Sequence, residues 1–174
     1  MAEKKLVVYF SRVGEQYSVG KITEGNTAIM AQIIAQTVGG DLFEVKLKDD
    51  HYPAGYDALT KVAKQEKQQA ARPLIAGDVA HFEQYATVFI GGPVWWGDLP
   101  MAMYSFIEQH GWAKQKIFTF ATHEGSGMGH IDREVAAATK LSVQSSLALY
   151  GHQLQNDRAA ATAKIQAWLK TISL

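Results

Sequence analysis

A chain of 174 residues with 47% apolar and 20% charged side chains fits one globular domain built around one core. Lys plus Arg and Asp plus Glu number 17 each, so neither a polyanion-binding surface nor an acidic tail is implied and nucleic acid is not an expected partner. The absence of cysteine excludes disulfides, thiolate metal sites, iron–sulfur clusters and dithiol chemistry, so any redox work needs a bound cofactor.

The opening Met-Ala-Glu-Lys-Lys leads into an apolar run too short for a signal segment or a membrane span, so a cytoplasmic protein without membrane contact is expected. That run, Leu6 to Phe10, reads as a strand buried on both faces. After a polar stretch, Thr27 to Val38 places Ile29, Met30, Ile33, Ile34 and Val38 on one helical face, and Gly39-Gly40 ends the helix. Asp41 to Leu47 reads as a second strand, Tyr52 to Gly55 as a loop and Asp57 to Ala71 as a mostly polar, exposed helix. Tyr85 to Ile90 is the third strand, after which Gly91-Gly92-Pro93 is expected to turn the chain. Pro100 to His110 reads as a helix closed by Gly111, Lys116 to Ala121 as the fourth strand, Ile131 to Lys140 as a helix and Ser142 to Tyr150 as the fifth strand. A last helix, Asp157 to Ile172, aligns Ala161, Ile165, Trp168, Leu169 and Ile172 on the face that packs on the sheet.

Strands alternating with helices imply a single α/β domain over residues 1–174, an open parallel sheet with helices on both faces and right-handed crossovers. Ligands of such sheets bind beyond the carboxyl ends of the strands, which directs attention to the loops after the first, third and fourth strands. The first loop delivers Gly25-Asn26-Thr27 to a helix N-terminus, whose free N–H groups favour an anion, with Ser11 adding a neutral donor. Simple helix capping by Asn26 or Thr27 is the plainer alternative. The third loop carries Pro93-Val94-Trp95-Trp96-Gly97-Asp98; two neighbouring rings there need cover by core, a partner or a flat ligand. The fourth loop, Thr122-His123-Glu124-Gly125-Ser126-Gly127, has alternating glycines that let backbone approach a ligand edge or simply make a flexible connection. His123 is placed to donate to a ligand carbonyl or pass a proton. Nucleophile-elbow, P-loop and dinucleotide fingerprints fail on their glycine spacing, and the histidines show no paired metal-ligand spacing.

These three loops, in this order and at these sheet positions, resemble the flavodoxin family over nearly the whole chain. The resemblance implies a three-layer αβα sandwich with strand order 2-1-3-4-5 and noncovalent FMN. Carried onto this sequence, it implies a phosphate-side set of Ser11, Val13, Gly25, Asn26, Thr27 and Ala28. It also implies ribityl and ring contacts from Pro93, Val94, Trp95, Trp96 and Gly97 and from Thr122, His123, Glu124, Gly125, Ser126 and Gly127. Trp96 is expected to stack on the ring, with Trp95 beneath or at its edge, and the Gly97-Asp98 peptide to turn toward the flavin N5. One departure stands out: Glu15 to Gly25, eleven residues, separates Ser11-Arg12-Val13-Gly14 from Asn26-Thr27. Equally, Val13 to Thr23 is the inserted piece; Gly14 or Gly25 takes the family glycine's place, and Tyr17, Lys21 and Ile22 form a hairpin lid or lie idle.

The expected function is an electron carrier between redox partner proteins or to a small-molecule acceptor, as a monomer or weak homodimer. Carriers of the family are typically acidic, whereas this chain has no net charge, so an FMN-dependent NAD(P)H:quinone-type oxidoreductase is the alternative. A binding module that has lost its cofactor is a third reading.

Overall fold

The computed structural model describes residues 3–174. In chain order the elements are β1 (Lys4–Tyr9), a hairpin of β2 (Gly14–Gln16) and β3 (Gly20–Ile22), α1 (Asn26–Val38), β4 (Asp41–Glu44), β5 (Lys46–Leu47), α2 (Tyr56–Gln68) and β6 (Ile75–Ala76). A short 3-10 turn at Phe82–Gln84 then leads to β7 (Tyr85–Pro93), α3 (Met101–Gln109), β8 (Lys116–His123), α4 (Ile131–Thr139), β9 (Val143–Tyr150), α5 (Gly151–Asn156) and α6 (Arg158–Thr171). The main sheet runs β4-β1-β7-β8-β9, all parallel, which is 2-1-3-4-5 when its own strands are counted in chain order.

Alternation along each strand divides the core between the two faces of the sheet. Leu6, Val8, Val88, Ile90, Ile117 and Ala121 point to the side covered by α2, α3 and α4. Val7, Tyr9, Phe89, Phe118 and Phe120 point to the side of α1, α5 and α6, where Ile29, Met30, Ile34, Leu154 and Ile165 meet them. Phe89, Phe106, Phe118 and Phe120 are fully buried, and cutting any one back to alanine costs about 3–5 kcal/mol.

Four elements depart from the expectations above, each for a visible reason. The third strand does not turn at Gly91-Gly92-Pro93 but continues through them, pairing Gly91 with Phe120, Gly92 with Ala121 and Pro93 with Thr122. Gly91 is required there because a Cβ would lie 2.3 Å from the Phe120 ring. Pro93 is tolerated because β1 has already ended, its last pair being Tyr9 with Gly91, so the missing N–H faces no partner strand. The expected second strand is split: β4 ends at Glu44, the Val45 N–H still donating to Tyr9 O of β1, and β5 pairs antiparallel with β6, an element without a sequence signal. The helix expected from Asp57 ends at Gln68 and is not merely exposed, since Leu59, Ala63 and Glu66 are buried. The last helix lies where expected, α6 being capped by the Asp157 side chain, which accepts the Ala160 N–H, but a further short helix, α5, precedes it without a sequence signal.

Candidate functional site

At the carboxyl ends of β1, β7 and β8 lies a cleft of about 500 Å³, within the ordinary range for a small-molecule site. Its floor begins at the N-terminus of α1. Neither Asn26 nor Thr27 caps this helix; Ser11, arriving from β1, accepts the Ala28 N–H at 3.1 Å, while the Ile29 N–H is bonded to Gly25 O. The Asn26 and Thr27 amides are thereby left facing the cleft end of the helix, where its dipole favours an anion. Gly25 is the glycine this packing requires, because a Cβ there would sit 2.0 Å from Ser11 Oγ, whereas Gly14 opens the hairpin with nothing close to it. Thr27 and Thr122 hydroxyls are 2.8 Å apart, joining the α1 and β8 sides of the floor. From behind, Gln155 on α5 donates to Glu24 O at 2.7 Å and to Asn26 Oδ1 at 2.8 Å, so the unanticipated helix fixes the Asn26 amide.

One wall is the tight turn Trp95-Trp96-Gly97-Asp98, closed by Trp95 N–H to Asp98 O at 2.7 Å and Asp98 N–H to Trp95 O at 3.2 Å. Trp96 (φ +54°) and Gly97 (φ +79°) both have positive φ, the signature of a type I′ turn; for glycine this is free, for tryptophan it is strained. The turn is held by its surroundings. Buried Asp98 accepts the Leu99 N–H and the Tyr104 hydroxyl on one oxygen and pairs with Lys67 at 3.0 Å on the other. Burial, then the Asp98 charge, push the Tyr104 phenol far above its ordinary pKa. The Trp96 indole N–H donates to Thr60 O at 2.9 Å, and Lys64 lies over its ring at 5.0 Å. The Gly97–Asp98 peptide is not free to turn as expected: Gly97 O accepts the His130 N–H at 2.6 Å and Asp98 N–H is bonded within the turn. The central peptide, Trp96–Gly97, carries no such bond among the described residues.

The opposite rim is the β8 loop. His123 Nδ1 accepts the Gly125 N–H at 2.9 Å, which leaves Nε2 as the protonated nitrogen, and the ring leans on Tyr150 at 4.6 Å. Burial lowers the His123 pKa, opposed by Glu124 and reinforced by His152, which favours the neutral ring. Glu124 does not face the cleft as an isolated charge: its carboxylate accepts the His152 N–H at 2.7 Å and meets His152 Nδ1 at 2.7 Å.

Of the residues singled out in the sequence, Ser11, Asn26, Thr27, Pro93, Val94, Trp95, Trp96, Thr122, His123, Glu124, Gly125 and Ser126 line this one cleft. Val13 is 57% exposed and does not line the cleft, and neither do Gly25, Ala28, Gly97 and Gly127, which lie beside its lining residues. The sequence reading missed Tyr56, Leu59, Thr60 and Ala63 of α2, together with Arg12. Glu15, Gln16 and Tyr17 of the inserted segment also reach the cleft; that segment forms the β2–β3 hairpin, and its Tyr17 stacks on Tyr56 at 5.6 Å. A helix face of small and apolar residues amid charges is the signal that could have found the α2 wall.

Behind Trp95 the packing is aromatic and then ionic. Its ring meets Phe10 at 5.2 Å and Tyr52 at 5.3 Å, both edge-on. The Tyr52 hydroxyl donates to Glu66 Oε2 at 2.7 Å, His51 Nε2 is 2.6 Å from Glu66 Oε1, and the Arg12 guanidinium lies over the Tyr52 ring at 5.5 Å. Among the described residues no serine is hydrogen-bonded to a histidine, and no helix is long and apolar enough to cross a membrane. The cleft presents anion-binding amides and flat aromatic surface.

The family model for Flavodoxin matches residues 4–172. No curated protein matches the sequence. A protein of Bacteroides eggerthii, provisionally assigned as a flavoprotein, superposes with a TM-score of 0.72 at 26% identity, over 98% of each chain. A similarly assigned protein of Bacteroides uniformis gives 0.73 at 21% identity, over 98% of this chain and 99% of that one. A flavoprotein of Lactobacillus acidophilus, solved in complex with FMN, gives 0.66 at 19% identity, over 91% of this chain and 99% of that one. The last two likenesses establish a shared fold.

Proposed function

Because this chain belongs to the flavodoxin family, we propose that its cleft binds FMN noncovalently and that the protein passes electrons between a donor and an acceptor. The observation that carries this reading is the convergence of a neutral anion cradle and a two-tryptophan turn on one cleft at the carboxyl ends of β1, β7 and β8. The residues present fit the group. The Asn26 and Thr27 amides and the Ser11 and Thr27 hydroxyls would receive the phosphate, and only glycine at position 25 leaves room for that arrangement. Trp95, Trp96 and the β8 loop would cover the ring and exclude water, and His123 Nε2–H would donate to an acceptor on its edge. FMN, when bound, supplies one- and two-electron transfer; the chain's own work is to bind, orient and shield it.

The alternative is an FMN-dependent oxidoreductase acting on quinone-type acceptors with NAD(P)H. The observation in its favour is the zero net charge, since a carrier that docks on basic partners is steered by acidity that this chain lacks. Two measurements decide. The purified protein should be yellow, or become so with FMN, and show flavin absorbance after desalting. With NADPH and a quinone but no added reductase, absence of turnover supports the carrier and rapid turnover supports the enzyme.

A further inference from the structure

Glu66, Tyr52 and His51 form a buried polar chain that FMN binding does not require. Glu66 is 9% exposed and Tyr52 8%, while the side chain of His51 is about half exposed. A carboxylate held at such depth is costly, and here both its oxygens are engaged, one by the Tyr52 hydroxyl and one by His51. The other end of the chain is the Tyr52 ring, edge-on to Trp95 in the cleft wall, with centroids 5.3 Å apart and planes at 89°. An electron donor in the cleft wall is thus in contact with a phenol whose proton already points at a base, and that base reaches solvent through an imidazole.

We propose that Tyr52 is a redox-active tyrosine that refills an electron hole on Trp95 while passing its hydroxyl proton to Glu66, with His51 linking that carboxylate to solvent. The proposal rests on the FMN reading for its oxidant, a photoexcited oxidised flavin in the cleft. Trp95, which lines the cleft, would give one electron to that oxidant and be left one electron short. Tyr52 then gives one electron to Trp95, its O–H bond breaks and the proton bonds to Glu66 Oε2, so Trp95 is restored and Tyr52 is a neutral radical. Return of that one electron to Tyr52, with the proton passing back from Glu66 Oε2 to the Tyr52 oxygen, restores the starting state with nothing consumed.

Two features of the site favour electron and proton leaving together, and a third places the hole on Trp95. The Arg12 guanidinium over the Tyr52 ring opposes positive charge on it, so loss of the electron alone is disfavoured. Burial and the Glu66 bond hold the Tyr52 phenol well above its usual pKa, so the proton does not leave first. Lys64 over the Trp96 ring places the same opposition on the more exposed tryptophan, which directs the hole to Trp95.

Laser flash photolysis of the FMN-loaded chain tests this directly. In wild type the broad visible absorption of an oxidised tryptophan should give way to the narrow near-ultraviolet band of a tyrosyl radical. Tyr52→Phe keeps the ring and its packing; it should lose the tyrosyl band and leave the tryptophan signal to decay to flavin alone. Glu66→Gln should lose the tyrosyl band although Tyr52 is present, a result that a purely structural role for Glu66 would not give once near-ultraviolet circular dichroism shows native packing. An undiminished tyrosyl band in Tyr52→Phe, or a wild type that forms only the tryptophan radical, overturns the proposal. If the chain takes up no FMN, the flavin reading has failed separately. The relay is then tested on the chain itself with azidyl radicals from pulse radiolysis, where tryptophan-to-tyrosine transfer should appear in wild type and vanish in Tyr52→Phe; equal transfer in both overturns it.

Discussion

The aromatic turn depends on Asp98, a carboxylate 3% exposed that gathers the Leu99 amide, the Tyr104 hydroxyl and the Lys67 ammonium. Removing Lys67 leaves that charge without the one cation paired with it among the described residues. Breaking a buried pair costs up to about 3–5 kcal/mol, and because Lys67 is partly exposed and Asp98 keeps two hydrogen bonds, Lys67→Met should cost about 1–3 kcal/mol. The urea midpoint should fall accordingly, and tryptophan near-ultraviolet circular dichroism should change with it. His123 provides a pH signature. Its folded pKa lies below the unfolded value of about 6.5, so between the two the unfolded chain binds more protons and stability rises with pH. Its contribution is complete above the unfolded value and lost as the pH falls through the folded one. The loss of urea stability between about pH 8 and about pH 5 should therefore be smaller in His123→Asn than in wild type. At this scale the sequence showed which residue types meet, but not how they point. A type I′ turn is easily read from Asn-Gly; from Trp-Gly it is not, because tryptophan at positive φ is held there by Thr60 and Lys64, contacts distant in sequence.

Among elements, α2 and the β2–β3 hairpin change the picture most. A helix reading as polar and exposed instead turns Leu59, Thr60 and Ala63 to the cleft, Lys67 to Asp98 and Glu66 to Tyr52. Its charges are real, but those on the inner face have partners in other elements, which a periodicity argument cannot supply. The hairpin was legible only as one of two possibilities for the inserted segment. It buries little beyond Ile22, and Tyr17, though 58% exposed, stacks on Tyr56 of α2 and ties the hairpin tip over the cleft. Such a pair contributes about 0.5–1.5 kcal/mol. Tyr17→Ala should leave the unfolding midpoint nearly unchanged while trypsin cleaves after Lys21 several-fold faster, because the hairpin opens without the sheet. Equal cleavage rates would show that the stack does not hold it. The three loops around the cleft were readable because each leaves a strongly apolar strand; β5, β6 and α5 were not, being short and fixed by tertiary contacts.

For the whole molecule, the parallel sheet and its layering followed from apolar runs and helical faces, the strand order from the resemblance to the flavodoxin family, and the cleft from the loops at the carboxyl ends of the strands. What the whole chain adds is a cradle without a lysine: Ser11, Asn26 and Thr27 meet at the α1 N-terminus, buttressed by Gln155, in a molecule of zero net charge. Binding at such a cradle comes from oriented amides and the helix dipole rather than from surface charge, so it should resist salt. The most direct measurement is a fluorescence titration of the flavin-free chain with FMN and, in parallel, with riboflavin. The account predicts saturation at equimolar FMN, quenching of both flavin and tryptophan emission, and weaker binding of riboflavin, which lacks the phosphate. Unchanged emission on adding FMN, or equal affinity for the two flavins, would contradict it.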